Sequence, residues 1–243
     1  MTANKTLRGV LAEMAEVAGY LWERGWAERN AGNISVNITG LLKPGEIRNL
    51  KPHGNIGISP SFDPLDGQLL LVTASGSRMR DLAMNPAANT CFILLKSGKT
   101  PAFCSLDSKR SGLIPTTEIE THLAIQQMFL QKGKSHKVVL HAHVTEFIAL
   151  THNKKFRTET AINRMIWKMH PEVKMFCDRG VGFVPFTRPG TEQIAGRTVK
   201  ALAGHDAAIW ERHGCISTGP DLNEAFDLMD LLAKAVKIFY LIG

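Results

Sequence analysis

Two pairs of predicted strands follow one another along the chain with almost no room between them. Six residues separate Cys91–Leu95 from Ala102–Leu106, and two residues separate Ala207–Arg212 from Cys215–Thr218. A parallel connection needs a crossover of about a dozen residues or more, usually a helix. Strands this close can therefore pair only in the antiparallel direction. The spacing predicts a central sheet that is mixed but mostly antiparallel.

Helical segments separate other strands of the chain. Apolar residues recur at spacings of three and four over Lys5–Arg24, Glu118–Gln131, Ala161–Met169, Thr191–Leu202, around Phe147 and Leu150, and from Asp221 onward. Further strands are predicted at Ile34–Ile38, Leu69–Thr73, Val138–His143, Lys174–Cys177 and Gly182–Pro185. The expected fold is an α/β layered sandwich with helices flanking the central sheet.

The 243 residues are predicted to form one domain, residues 1–243. Residues 39–67 contain four prolines and five glycines, which is typical of a loop-rich excursion. Strands resume on both sides of this segment, so it is interpreted as an insertion rather than a linker between domains.

Composition excludes several classes of protein. A hydrophobic share of 44% and a charged share of 21% argue against disorder. No apolar run approaches the ~20 residues of a membrane-spanning helix, and the N-terminus lacks the pattern of a secretory signal. Four scattered cysteines without a C-x-x-C motif favour a reduced, cytoplasmic protein.

The chain carries 29 basic and 22 acidic side chains, a formal net charge of +7. The basic residues form no long run and do not alternate with aromatic residues, so neither a nucleic acid nor a membrane is predicted as a partner. A small anionic substrate remains compatible with this charge.

His141 and His143 are two residues apart on a predicted strand. Residues at this spacing share one face of a strand, so both imidazoles can converge on one metal ion. Two histidines on a polar strand face, held by ion pairs, explain the pattern about as well. The position at a strand-to-helix junction favours the metal interpretation, because sites on α/β sheets often lie there.

A third ligand would have to come from elsewhere in the chain. His213 follows another apolar strand and precedes Gly214, which permits a sharp turn or a close backbone approach. Taken alone, such a histidine is more often simply hydrogen-bonded within the fold.

Three short polar segments can bind an anion through hydroxyl and backbone N–H groups: residues 30–33, 73–76 and 115–118. Each also has a plain structural explanation as a turn or a helix start. Thr117 is expected to be the N-cap of the helix that follows, and Glu118 suits a helix start without any function. Together with the histidines, the three segments suggest a metal enzyme that acts on a phosphorylated small molecule.

Several longer stretches make the chain recognisable as a whole. They span about residues 25 to 237 and read GWAERNAGNISVNI, LVTASG, NPAANT, PTTEIETHL, VVLHAHVTEFIALT, RGVGFVPFTRPGTEQIA and ERHGCISTGPDLNEAFDLMDLLAKA. In combination they resemble the class II sugar-phosphate aldolases of the fuculose-phosphate aldolase family. The resemblance implies an α/β sandwich, a homotetramer with active sites at subunit interfaces, and a Zn²⁺ cofactor.

The resemblance also implies a role for individual positions. His141, His143 and His213 match the zinc ligands, and Glu118 matches the carboxylate that serves as acid and base. Glu172 matches a glutamate that members of the family contribute from a neighbouring subunit. The residues that match the phosphate-binding turns are Asn30, Asn33, Ser75, Gly76, Thr116 and Thr117.

The reaction implied by the resemblance is reversible retro-aldol cleavage of a ketose 1-phosphate, which yields dihydroxyacetone phosphate and a small hydroxyaldehyde. Sugar-phosphate 4-epimerases and a methylthioribulose-phosphate dehydratase share the fold and the metal chemistry and are alternatives. The epimerases tend to carry aspartate where Glu118 stands. A non-catalytic binding module is a further alternative, against which the intact set of three histidines and one glutamate argues.

Overall fold

The computed structural model describes residues 6–58, 62–96, 99–106 and 112–243. The strands within these ranges are β1 (Asn33–Asn37), β2 (Gly54–Asn55), β3 (Leu69–Thr73), β4 (Thr90–Leu94), β5 (Ala102–Ser105), β6 (Val138–Ala142), β7 (Gly182–Val184), β8 (Ala207–Trp210) and β9 (Gly214–Gly219). The α-helices are α1 (Leu7–Glu23), α2 (Pro44–Asn49), α3 (Met79–Met84), α4 (Ile119–Gln131), α5 (Thr145–His152), α6 (Glu159–Met169), α7 (Pro171–Phe176), α8 (Glu192–Ala201) and α9 (Leu222–Leu241).

The nine strands of the described residues form one sheet in the order β2-β5-β4-β3-β1-β6-β9-β8-β7. Every neighbouring pair is antiparallel except β7 and β8. The two closely spaced strand pairs, β4 with β5 and β8 with β9, are both antiparallel neighbours. The predicted α/β fold with a mostly antiparallel sheet is therefore confirmed.

Helices cover both faces of the sheet. One face packs against α1, α5, α6 and α9, and its core includes Leu140 of β6. The other face packs against α4 and α8 in the middle of the sheet, and its core includes Val139 of β6. Because successive side chains of a strand point to opposite faces, His141 lies on the same face as Val139, under α4.

One predicted strand is wrong. Lys174–Cys177 was expected to be extended, but most of it lies in the short helix α7, which begins at Pro171. The fixed φ of proline suits the first helical turn. The side chain of His170 caps this turn by accepting a hydrogen bond from the Glu172 backbone N–H at 3.3 Å. These start signals outweigh an apolar run that is too short to define a strand.

Two regions contain more structure than the sequence indicates. The loop-rich segment 39–67 includes α2 and β2 in its described part, and α3 has no counterpart among the predicted elements. The first helix begins at Leu7 with Thr6 as its N-cap, and the predicted start at Lys5 lies outside the described residues.

No helix in the described parts of the chain is both long and apolar enough to span a bilayer. All four cysteines are free and buried.

Candidate active site

Three histidines from two parts of the chain converge beside the centre of the sheet. His141 lies in β6, His143 follows that strand directly, and His213 lies in the tight turn between β8 and β9. One potential ligand nitrogen from each residue lies within 4.8 Å of those of the other two. The antiparallel pairing of β6 with β9 brings the third histidine to the first two, although about 70 residues separate them in sequence.

Hydrogen bonds orient two of the three rings. His141 Nδ1 lies 3.0 Å from the carbonyl oxygen of Cys215, and His143 Nδ1 lies 2.7 Å from Glu28 Oε1. Since both partners accept hydrogen bonds, each Nδ1 carries the proton and each Nε2 keeps a free lone pair. Buried Trp210 stacks on the His213 ring, with ring centroids 5.1 Å apart, and lies 4.6 Å from the His141 ring.

The three-histidine cluster fits a divalent metal ion. His141 Nε2 and His213 Nδ1 are buried and make no hydrogen bond within the described residues. A buried polar atom without a partner is costly, and a bound metal would remove this cost. Burial lowers the pKa of His141 and of His213 to about 3, so both rings are neutral and can donate a lone pair. Three neutral imidazoles are a common ligand set for zinc in catalytic sites.

Two glycines allow the neighbouring backbone to approach this end of β6. A Cβ atom on Gly214 would lie 2.2 Å from the carbonyl oxygen of Ala142, and one on Gly32 would lie 3.0 Å from that of His141. Gly32 also has a φ of 82°, in the left-handed region. Next to the histidine cluster, Arg212 has a φ of 58°, an unusual value for a residue with a side chain. Glycine at positions 32 and 214 is therefore required by packing around the site.

The predicted phosphate-binding turns line one cleft of about 360 Å³ with His141, His143 and Glu118. All six predicted positions contribute to its wall: Asn30, Asn33, Ser75, Gly76, Thr116 and Thr117. They come from the loop before β1 and the first residue of that strand, the turn after β3 and the segment before α4. Three turns that are distant in sequence thus meet at one place.

The wall of this cleft is polar and can bind an anion. Gly76, in the turn after β3, has a φ of 75°, in the left-handed region, and a Cβ atom there would have no neighbour within 4 Å. Arg29 is the one arginine or lysine among the described residues that line the cleft. Sequence analysis did not single out Arg29, whose φ of 52° also marks a strained turn.

Glu118 lies where the cleft meets the histidines. Its side chain is buried, and Oε2 lies 3.6 Å from His141 Nε2. The prediction that Thr117 is the N-cap is wrong, because α4 begins at Ile119 and Glu118 occupies the cap position without a side-chain capping bond. The carboxylate is therefore directed to the site instead of being used by the helix start.

Glu120 differs from Glu118 in its surroundings. Burial and the nearby carboxylate of Glu192, at the start of α8, raise the pKa of Glu120. Residues two apart on a helix are rotated by about 200°, so the two carboxylates face different ways. Only Glu118 lines the cleft.

A buried hydrogen-bond network connects Glu118 to β1 and α4. Asn33 Nδ2 donates to Glu118 Oε2 at 2.7 Å. His122 Nε2 lies 2.5 Å from Asn33 Oδ1, and His122 Nδ1 lies 2.8 Å from Ser35 Oγ. Burial lowers the pKa of His122 to about 4, so the ring is neutral at pH 7.

Glu172 does not line the cleft of its own chain. It lies in the first turn of α7, its side chain is 61% exposed, and its Oε2 lies 3.9 Å from His170 Nε2. The structure therefore leaves this carboxylate free to contact something outside the chain.

Sequence reasoning missed four residues that shape the site: Glu28, Arg29, His122 and Trp210. Glu28 contacts His143, 115 residues away, and His122 contacts Asn33, 89 residues away, and the sequence contains no periodic signal for such contacts. His122 offered the best clue, because it is three residues from both Ile119 and Ile125 in a predicted helix, and a histidine on such an apolar face needs hydrogen-bond partners.

Comparison with known proteins agrees with this geometry. Residues 12–240 match the model of the family described as Class II Aldolase and Adducin N-terminal domain. A rhamnulose-1-phosphate aldolase from Bacteroides thetaiotaomicron is 37% identical over 228 residues, covering 93% of this chain and 83% of that protein. One from Listeria welshimeri is 32% identical over 233 residues, covering 94% of this chain and 82% of that protein.

A solved structure is also similar over nearly the whole chain. The sugar-phosphate aldolase from Thermotoga maritima has a TM-score of 0.82 and 30% sequence identity, covering 97% of this chain and 95% of that chain. The family resemblance read from the sequence motifs is therefore confirmed.

Proposed function

The chain belongs to the class II, metal-dependent aldolase family, and from this premise we propose that it cleaves L-rhamnulose 1-phosphate to dihydroxyacetone phosphate and L-lactaldehyde. One observation carries the proposal: the buried carboxylate of Glu118 lies 3.6 Å from His141, a member of the three-histidine cluster, at the end of a polar cleft. This carboxylate makes no capping hydrogen bond to the helix that follows it. The choice of sugar is supported by the relatives from Bacteroides and Listeria, which are named rhamnulose-1-phosphate aldolases.

The chemical difficulty of the reaction is the negative charge left on a carbon beside a carbonyl group. We assign a Zn²⁺ ion to His141, His143 and His213, and when bound it supplies positive charge that stabilises the developing charge on the substrate oxygens. Neutral ligands preserve most of the charge of the ion, and three of them leave coordination positions for a substrate.

Glu118 is assigned to move the proton on and off the carbon that carries this charge. Its Oε2 accepts a hydrogen bond from Asn33, while no hydrogen bond to Oε1 is found within the described residues. One oxygen can thus anchor the carboxylate while the other exchanges a proton with the substrate.

The phosphate group is assigned to the polar wall of the cleft. The hydroxyl groups of Ser75, Thr116 and Thr117, the backbone N–H of Gly76 and the side chain of Asn30 can surround it. A phosphate held there orients the sugar and brings the bond to be broken to Glu118 and the histidines.

The remaining proposals concern assembly and compartment. We infer a homotetramer in which Glu172, exposed on α7, reaches the active site of a neighbouring subunit and assists proton movement at the aldehyde end. Four free cysteines, all buried, fit a reducing cytoplasmic compartment.

Incubation of the zinc-loaded protein with L-rhamnulose 1-phosphate tests the proposal, with dihydroxyacetone phosphate as the readout. Glu118→Gln keeps the shape of the side chain but cannot exchange a proton, so kcat should fall by about two to four powers of ten. Glu120→Gln is the matched control on the same helix and should stay within about threefold of wild type.

Both variants should contain as much zinc as wild type. A near-normal rate for Glu118→Gln contradicts the mechanism. Conversion of the sugar phosphate without release of dihydroxyacetone phosphate points to a 4-epimerase instead.

A further inference from the structure

The buried histidine on α4 has a defined relation to the acid/base carboxylate. Building on the proposed function, we propose that His122 is a positioning residue that sets the orientation of the Asn33 side-chain amide and, through that amide, holds the Glu118 carboxylate in place for proton transfer. His122 itself does not line the cleft and is not one of the three histidines that could hold a metal.

Four side chains meet here because of the spacing of residues on one helix and one strand. Glu118 and His122 are four residues apart at the start of α4, so they lie on the same side of the helix. Asn33 and Ser35 are two residues apart on β1 and therefore share one face of the strand. The face of α4 packs onto the face of β1, and all four side chains are buried there.

Donor and acceptor chemistry determines the direction of each hydrogen bond. The Glu118 carboxylate only accepts, so the Asn33 NH₂ group faces Glu118 and Asn33 Oδ1 faces His122. His122 Nε2, 2.5 Å from that oxygen, must therefore carry the proton. In a neutral ring Nδ1 is then an acceptor, and the Ser35 hydroxyl donates to it. Both ring nitrogens of His122 are therefore satisfied in a single tautomer.

This tautomer of His122 and the Glu118 carboxylate favour the same orientation of the Asn33 amide. With Oδ1 facing His122, the NH₂ group faces Glu118 and donates to Oε2 at 2.7 Å. If the amide were rotated by 180°, its oxygen would face the carboxylate of Glu118 and its NH₂ group would face the N–H of His122. Both contacts would then be repulsive, in a buried place where such contacts are expensive.

The network also defines the role of Asn33. This residue matches a phosphate-binding position, and it does line the cleft. Its amide oxygen, however, is occupied by His122, and its NH₂ group is directed to Glu118. We therefore assign Asn33 to the carboxylate and leave phosphate contact to the other residues of the turns.

Two variants, His122→Gln and His122→Asn, are nearly equal in polarity. Comparing them distinguishes a positioning role of His122 from a general effect of the substitution on packing. In His122→Gln the longer side chain can place an amide N–H where Nε2 lies, so the donor to Asn33 is kept. In His122→Asn the shorter side chain can reach only toward Ser35, so that donor is lost. The reaction to measure is uptake of deuterium from D₂O into dihydroxyacetone phosphate by zinc-loaded protein, because it isolates proton transfer by Glu118.

We expect His122→Asn to lower kcat for deuterium uptake by at least about tenfold, with KM within about threefold of wild type. His122→Gln should recover most of the rate, and both variants should bind as much zinc as wild type. Equal rates for the two variants overturn the proposal, whether both are fast or both are slow.

A measurement without substrate keeps this inference separate from the proposed function. In metal-free protein, Tm is compared for wild type, His122→Asn, Glu118→Ala and the double variant. If His122 acts on Glu118 through Asn33, the double variant should lose less Tm than the two single changes together. Additive shifts contradict the proposal.

The matched control is a second double-mutant cycle that combines Glu118→Ala with His136→Asn. His136 is a half-buried histidine whose side chain contacts Thr218 instead of Asn33. In this cycle the two losses of Tm should be additive. If the wild-type protein exchanges no proton of dihydroxyacetone phosphate, the proposed function fails. In that case the comparison of Tm values alone tests whether His122 acts on Glu118 through Asn33.

Discussion

Acidification of the metal-free protein should weaken the fold through the buried histidines, and His122 allows the size of this effect to be worked out. Burial lowers the pKa of His122 from 6.5 to about 4 in the folded state. Between these two values the unfolded chain binds a proton that the folded protein does not. The stabilising contribution is therefore complete above pH 6.5 and is lost as the pH falls toward 4.

At pH 5 the pH lies 1.5 units below the pKa of the unfolded state, which corresponds to about 2 kcal/mol lost relative to neutral pH. The largest loss of free energy of unfolding, reached below pH 4, is about 3 kcal/mol, which corresponds to the difference between a pKa of 6.5 and one of about 4. Losses of this size are a large part of the stability of a typical domain.

The assay is urea unfolding at pH 7 and pH 5, in the presence of a chelator, for wild type and His122→Gln. The change in free energy of unfolding between the two pH values should be about 2 kcal/mol smaller for His122→Gln, because glutamine does not titrate. Burial also lowers the pKa of His141 and of His213. Their contributions to the pH dependence of the free energy of unfolding are the same in both proteins and cancel in the comparison. His152→Gln, at an exposed position on α5, is the control and should behave as wild type.

The same loss of free energy in wild type and His122→Gln would refute the reasoning. It would mean that His122 is protonated in the folded state as readily as in the unfolded chain.

Further predictions concern the metal, the phosphate and the glycine beside the histidines. Protein purified without chelator should carry about one zinc ion per chain by elemental analysis, and His213→Ala should lose most of it. Ser75→Ala should raise KM for the phosphorylated sugar while changing activity on a non-phosphorylated analogue much less, so equal losses would exclude a phosphate contact. Gly214→Ala should lower the free energy of unfolding by ~3 kcal/mol or more, because its Cβ would lie 2.2 Å from the Ala142 carbonyl oxygen. Gly196→Ala, a helical position with open space around it, should be neutral or stabilising in the same measurement.

Local spacing was sufficient to predict most of the fold. The seven residues between β4 and β5 are too few for a parallel connection whatever their identity, and the structure pairs these strands antiparallel. Failures occur where elements are short. Helix α7 has six residues, too few for helical periodicity to be distinguished from strand alternation, and its proline start was the better signal. Helix α3 is equally short and lies in a stretch rich in turn residues.

The site was predictable as far as it depends on strand period and on family motifs. The two-residue spacing of His141 and His143 placed both imidazoles together, and the structure confirms that His213 joins them. The hydrogen-bond network behind Glu118 could not be predicted, because Asn33 and His122 are 89 residues apart and their contact depends on how α4 packs across the sheet. Orientation of a side-chain amide is a property of such packing and leaves no trace in a local pattern.

The position of β9 in the sheet determines when the metal site can form during protein synthesis. This strand, residues 214–219, lies directly beside β6, and its Cys215 carbonyl orients the His141 ring. Before residues 213–219 emerge from the ribosome, the nascent chain has His141 and His143. It still lacks both His213 and the strand whose carbonyl orients the His141 ring. Metal capture is therefore expected after translation has passed the centre of the sheet. A metal ion bound by the three histidines would then act on a chain whose central strands are already made, and could not serve as a template on which the first strands assemble.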